Sequence, residues 1–172
     1  MQPNYLPQRA THRRTESAIL STTKDLIAEN GLSNISMIEI AERSQVSRAT
    51  LYNHYRDKDA VISALIDSEI DRLVEITTSA TPADALEKLS LAISQDRALA
   101  AMRIHDAHFL AAALVHSEDP RYLRFAQAVH SLTKTPETTG IAMRWLIAQV
   151  MQPLSPEQAR SQAARLVDAT LF

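Results

Sequence analysis

An all-α protein is expected from this sequence, on three grounds. Glycine occurs twice in 172 residues, at Gly31 and Gly140, so tight hairpins and phosphate-cradling loops lack the residue they lean on. Alanine, leucine and isoleucine are abundant and β-branched runs are few, which favours helix. Apolar residues recur three and four apart along most of the chain. About nine helices are expected, and no strand.

Residues 1–13 contain Pro3 and Pro7 without periodicity and read as a mobile arm. From Thr15, a plausible N-cap, Ile19, Thr22, Thr23, Leu26 and Ile27 form a stripe that ends at Asn30-Gly31, a C-terminal capping signal. Ser36-Met37-Ile38-Glu39 fits a capping box for a short helix. Ser44-Gln45-Val46-Ser47 interrupts it, and Ser47 opens a second short helix, Arg48 to Tyr55. A longer helix follows, about Asp59 to Thr77, with Val61, Ile62, Leu65, Ile66, Ile70, Leu73 and Val74 on its buried face. Pro82 begins another, to about Ser94, and Asp96 caps a long one to about Ser117. Asp119-Pro120 opens the next, to about Thr133; Thr135-Pro136 and Gly140 fall in a connector. The last two run about Thr139 to Met151 and Ser155 to Leu171.

Composition narrows the chemistry. Hydrophobic residues make up 45% and charged residues 22%, which suits a globular chain. Cysteine is absent, which excludes disulfides, thiolate zinc sites and a cysteine nucleophile. No apolar run reaches the roughly 18 to 20 residues that span a bilayer, and no apolar signal-peptide core follows Arg9, Arg13 and Arg14. A cytoplasmic protein without a membrane partner is expected. The net charge of −2 hides an asymmetry: residues 1–58 carry +2 and the rest −4. One DNA-facing end would produce such a split.

Two short helices joined by a tight turn, inside a three-helix unit, make a helix-turn-helix. Ala41 is small where the second helix crosses close to it, and Ile38, Val46 and Leu51 supply an apolar wedge. Gln45, in the turn, is expected to take a left-handed backbone, where non-glycine residues lose on the order of 1 kcal/mol. The helix from Arg48 buries Leu51 and Tyr55 and exposes Arg48, Ala49, Thr50, Tyr52, Asn53 and His54. Those side chains are cationic, hydrogen-bonding or aromatic, and no carboxylate lies on the helix to repel phosphate. Arg48, Thr50 and Asn53 are the candidates for base edges, and His54 suits backbone or base. Ser47 at the helix start joins the candidate DNA contacts.

The series Ser36-x-x-x-Ile40-Ala41, Gln45-Val46-Ser47-Arg48-Ala49-Thr50-Leu51-Tyr52-Asn53-His54-Tyr55 and Lys58-Asp59-x-Val61 resembles the TetR family of bacterial transcriptional regulators. With the first helix, the resemblance covers about residues 14 to 70. Gln45 stands where the family has glycine, Ser36 where it has threonine, Tyr55 for phenylalanine and Val61 for leucine. The resemblance implies a helix-turn-helix domain over residues 14–58 and a helical effector-binding and dimerisation domain over 59–172. It implies a homodimer on a near-palindromic operator, a repressor released by a small-molecule effector. It further implies phosphate contacts from Ser36, Tyr52 and Lys58. A helix-turn-helix regulator controlled by a protein partner is the alternative reading; an enzyme is not expected, and neither is a cofactor.

The C-terminal residues carry weaker signals. Arg103, His105, His108, Phe109, Ala112 and His116 fall on one long expected helix. His105, His108, Phe109, Ala112 and His116, with Met102 and Trp145, are the candidate lining of an effector cavity. His105 and His108 lie three apart, but no second ligand cluster accompanies them, and no metal site is expected. The last two helices are rich in alanine. Ile141, Trp145, Ala148, Ala159, Ala163, Leu166 and Val167 are the candidate dimer interface, because small residues let helices approach closely.

Overall fold

A computed structural model describes residues 5–78, 81–114 and 118–168. Among the described residues there are ten helices and no strand: α1 (Tyr5–Asn30), α2 (Met37–Arg43), α3 (Arg48–His54), α4 (Lys58–Ile76), α5 (Pro82–Ser94), α6 (Arg97–His105), α7 (Ala107–Leu114), α8 (Pro120–Thr133), α9 (Pro136–Met151) and α10 (Pro156–Asp168).

Local chemistry sets most of these boundaries. The side chains of Asp57, Thr81, Asp96 and Thr135 each accept a backbone N–H three residues on, and Asp119 accepts that of Arg121. Each cap contributes about 1 kcal/mol to its helix. Pro82, Pro120 and Pro136 occupy first-turn positions, where the missing N–H has no helical partner in any case.

Three boundaries differ from expectation. α1 begins by Tyr5, so residues 5–13 are helical and not an arm; residues 1–4 lie outside the described residues. Residues 10–14 are exposed, and a solvated helical extension needs no apolar stripe. α9 begins at Pro136 on the Thr135 cap, which takes Gly140 into the helix. The long helix expected from Asp96 breaks at Asp106 into α6 and α7. The cause is tertiary: the Asp106 side chain is fully buried and bound to the loop after α1.

Two apolar cores result. The first gathers Ile19, Leu26, Ile27, Ile35, Ile40, Ala41, Leu51, Val61 and Leu65 from α1 to α4, with Ala98 of α6. The second gathers Leu86, Leu89, Phe125, Val129, Met143 and Leu146 with Ala85 and Ala163, from α5, α8, α9 and α10. α4 joins them: Val61 and Leu65 belong to the first, and Ile70, Leu73 and Val74 pack on the second. Ile66, expected on the buried face, is exposed between the two sets. Arg121 of α8 grips α4 with a two-pronged pair to Asp67 (2.7 and 3.1 Å) and a hydrogen bond to the Ser63 hydroxyl, and Arg124 reaches Asp71 at 3.1 Å.

Candidate nucleic-acid interface

The turn between α2 and α3 forms as its chemistry demands. Ser36 accepts the N–H of Glu39 (3.3 Å), and the Glu39 carboxylate accepts the N–H of Ser36 (2.9 Å), so the capping box is complete. The Ser36 hydroxyl also donates to Glu39 Oε2 at 2.8 Å, so its own proton is engaged within α2. Gln45 has φ 57, the expected left-handed conformation, and the N–H of Val46 reaches the carbonyl of Ala41 at 3.1 Å. One part of the expected wedge is corrected. Ile38 is 46% exposed, and Ile40 (0%) takes the buried place, because α2 turns Ile40 and Ala41 toward α1.

α3 is held rigidly. The Ser47 hydroxyl accepts the N–H of Thr50 (3.0 Å) and pairs with the Thr50 hydroxyl (2.8 Å). Leu51 is fully buried, and Tyr55 closes the helix with its N–H on the Leu51 carbonyl. Burial, with the Glu16 carboxylate that its phenol approaches at 3.3 Å, pushes the Tyr55 hydroxyl up to about 12. Outward stand Arg48, Ala49, Tyr52 and Asn53, with Thr50 and His54 half-buried. Arg48 faces Glu42 at 3.8 Å, a long and solvated pair that leaves the guanidinium available to another anion. Lys58, at the start of α4, donates to the carbonyls of Leu32 (3.3 Å) and Ile35 (3.2 Å). Two of its three N–H groups therefore tie down the loop between α1 and α2, which leaves one for a phosphate.

Two features of this region had no sequence signal. His12, on the part of α1 expected to be an arm, packs its ring on His54 with centroids 4.1 Å apart and planes tilted by 42°. Burial lowers the His54 pKa, the neighbouring His12 lowers it further, and Glu16 opposes both. The second feature is the attachment of the loop after α1. Asp106 accepts the N–H of Leu32 (2.6 Å), the N–H of Ser33 (3.1 Å) and the Ser33 hydroxyl. Burial raises the Asp106 carboxyl, but these donors and the charge of His105 outweigh it and hold it below the usual carboxylate range. Gly31 has φ +81, and a Cβ there would lie 2.8 Å from both Asp106 Oδ2 and His105 Cβ.

The candidate effector residues are not brought together around a cavity. Met102 packs on the first core, while His105, His108, Phe109 and Ala112 are exposed. After the break at Asp106, α7 turns Leu110 inward, and His108 stacks on Phe109 at the surface (4.1 Å). His116 lies outside the described residues. Trp145 is half-buried and donates to Gln162 at 2.6 Å. A cleft of about 570 Å³ opens elsewhere, between α1 and α4 beside Glu16, Lys24 and Asp67.

The candidate dimer residues divide. Ala159 and Ala163 are buried as α10 packs on α5 of the same chain, and Trp145, Leu166 and Val167 pack on the second core. Small residues on α10 thus serve a close approach within the chain. Ile141 and Ala148 stand exposed, seven apart on α9. Among the described residues no group of three metal-ligating side chains is present, and no helix is long and apolar enough to cross a membrane.

Residues 19–65 match the family described as bacterial regulatory proteins, tetR family. Over 72 residues the chain is 35% identical to the HTH-type transcriptional repressor Rv3405c of Mycobacterium tuberculosis (strain H37Rv), covering 42% of this chain and 38% of that protein. It is 42% identical over 60 residues to the uncharacterized HTH-type transcriptional regulator YdeS of Bacillus subtilis, covering 34% of this chain and 30% of that one. The matched stretch thus spans well under half of these relatives. A solved TetR-family regulator from Mesorhizobium loti superposes with a TM-score of 0.64 at 18% identity, over 93% of this chain and 96% of that one. The dihydroxyacetone kinase operon activator DhaS does so with the same score at 16% identity, over 90% and 94%. At these identities the whole-chain likeness is one of fold.

Proposed function

We propose that this chain, whose residues 19–65 match the tetR family of bacterial regulatory proteins, is a transcriptional regulator that binds duplex DNA through α3. The observation that carries this is a short helix, capped by Ser47 and anchored by Leu51, that presents Arg48, Ala49, Tyr52 and Asn53 outward, with Thr50 and His54 half-buried beside them and no carboxylate on it. Arg48, Thr50 and Asn53 read base edges. Tyr52, Ser47 and the remaining N–H of Lys58 hold phosphates, while the N–H and hydroxyl of Ser36 are both spent on Glu39 and leave it out of that set.

One such helix makes few base contacts, so the protein works as a homodimer on a near-palindromic operator. Ile141 and Ala148 on α9 are the exposed remainder of the surface proposed for that contact. The chain acts in the cytoplasm and is a repressor, as the M. tuberculosis relative is described. A small-molecule effector releases it by preferring the dimer whose heads are wrongly spaced. The loss of affinity equals the difference in the effector's binding to the two forms.

The test is selection of bound duplexes from a random pool, followed by anisotropy titration at low salt. A palindromic consensus bound by two protomers is expected. A protein that ignores every duplex at low ionic strength overturns the reading. An operator complex that no metabolite screen dissociates overturns the effector alone.

A further inference from the structure

We propose that His12 and His54 form one proton-accepting contact to the duplex, so that operator affinity rises as pH falls. The inference rests on the DNA-binding reading of α3 and adds to it a residue from α1. His54 is the last residue of α3, directly after Asn53, at the helix end where the backbone dipole favours a cation. His12 is exposed, and α1 carries it to that end of α3 so that the two rings stack at 4.1 Å. Neither ring is sealed inside the chain, and a phosphate approaching the end of α3 meets both.

With the ring centroids 4.1 Å apart, a charge on His12 opposes protonation of His54. The groups bearing on His54 are known. From α1 they are His12, which opposes its charge, and Glu16, which favours it; from its own segment Tyr55 lies 6.1 Å away and holds its phenol on Glu16. In the free protein, burial and the neighbouring His12 ring hold the His54 imidazole below its ordinary value, and Glu16 opposes them. Phosphates at the interface favour the protonated form, so binding takes up a proton, and by reciprocity protons strengthen binding.

The experiment uses the full chain and a fluorescein-labelled duplex selected from a random pool, titrated from pH 8 to pH 5.5 at fixed ionic strength. Uptake of one proton per protomer gives up to roughly a tenfold gain in affinity per pH unit for each head. His54→Gln should reduce the slope to the part that His12 carries alone. His12→Gln should move the response to higher pH while keeping its size, since it removes the opposing charge. The double variant should lack the wild-type slope. A wild-type affinity independent of pH, or a double variant with the wild-type slope, overturns the proposal. A second readout needs no DNA: the His54 ring proton, followed by NMR, should titrate at higher pH in His12→Gln, and an unmoved titration also overturns it. Absence of binding to any duplex at any pH would instead overturn the regulator reading itself.

Discussion

Removing the Asp106 carboxylate should cut a tie between the loop after α1 and the end of α6. Asp106 follows α6, yet its side chain holds the loop that follows α1, 73 residues earlier, with three hydrogen bonds. Bonds to a charged acceptor contribute about 1.5–3 kcal/mol each. Against them stands the desolvation of a fully buried carboxylate, several kcal/mol that its removal restores. The balance for Asp106→Ala is a loss of about 3 kcal/mol, because two backbone donors lose their partner. Asp106→Asn keeps one acceptor oxygen but turns an amide toward an N–H, and should lose about half as much. Urea unfolding followed by circular dichroism measures both. Hydrogen exchange of Leu32 and Ser33 should quicken in each variant. The sign of the pH effect follows from a carboxyl held below its unfolded value near 4. Its stabilisation is complete above that value and is lost as pH falls through the folded pKa. Asp106→Asn should therefore flatten the acid limb of the stability curve. A loss below about 1 kcal/mol for Asp106→Ala, with an unchanged acid limb, would refute the reasoning.

Gln45→Gly should stabilise the chain by about 0.5–1 kcal/mol, since relief of the left-handed strain exceeds glycine's added unfolded-state entropy; a thermal melt decides it. Arg48→Ala should weaken operator binding by about 1–3 kcal/mol and relax preference at one base position, as read by competition with single-base variants. Lys58→Ala should lower the salt slope of binding by about one and also destabilise the loop whose carbonyls it holds; an unchanged slope in a folded variant removes Lys58 from the phosphate contacts. Tyr55 keeps its proton to about pH 12 when folded, so its stabilisation is complete below pH 10 and is lost as pH rises from there to 12; Tyr55→Phe should make the chain less sensitive over that window in an alkaline unfolding series.

The features legible in the sequence are those that a few neighbouring residues determine. The cap at Asp96, the helix starts at Pro82 and Pro120, the capping box at Ser36 and the left-handed Gln45 each depend on residues within four positions. The features that were not legible depend on residues far apart in the chain. Nothing around Asp106 reveals that its partners are Leu32 and Ser33, so the sequence pattern carried a helix straight through it. His12 sits in a segment without apolar period, and its value lies in where α1 delivers it. Ala159 and Ala163 signalled a close helix approach correctly, but small residues do not say whether the neighbour is another subunit or, as here, α5 of the same chain.

α4 has one end in each core, which makes it a lever arm. Its 19 residues measure about 28 Å at 1.5 Å per residue. Arg121 and Arg124 clamp it near its middle, at Asp67 and Asp71, so the arm from Asp67 back to Lys58 is about 14 Å, and a swing of roughly 14° displaces its N-terminal end by about 3.4 Å, one base-pair step along a duplex. In the proposed DNA complex, a swing of that size would carry Arg48 from one base to the next.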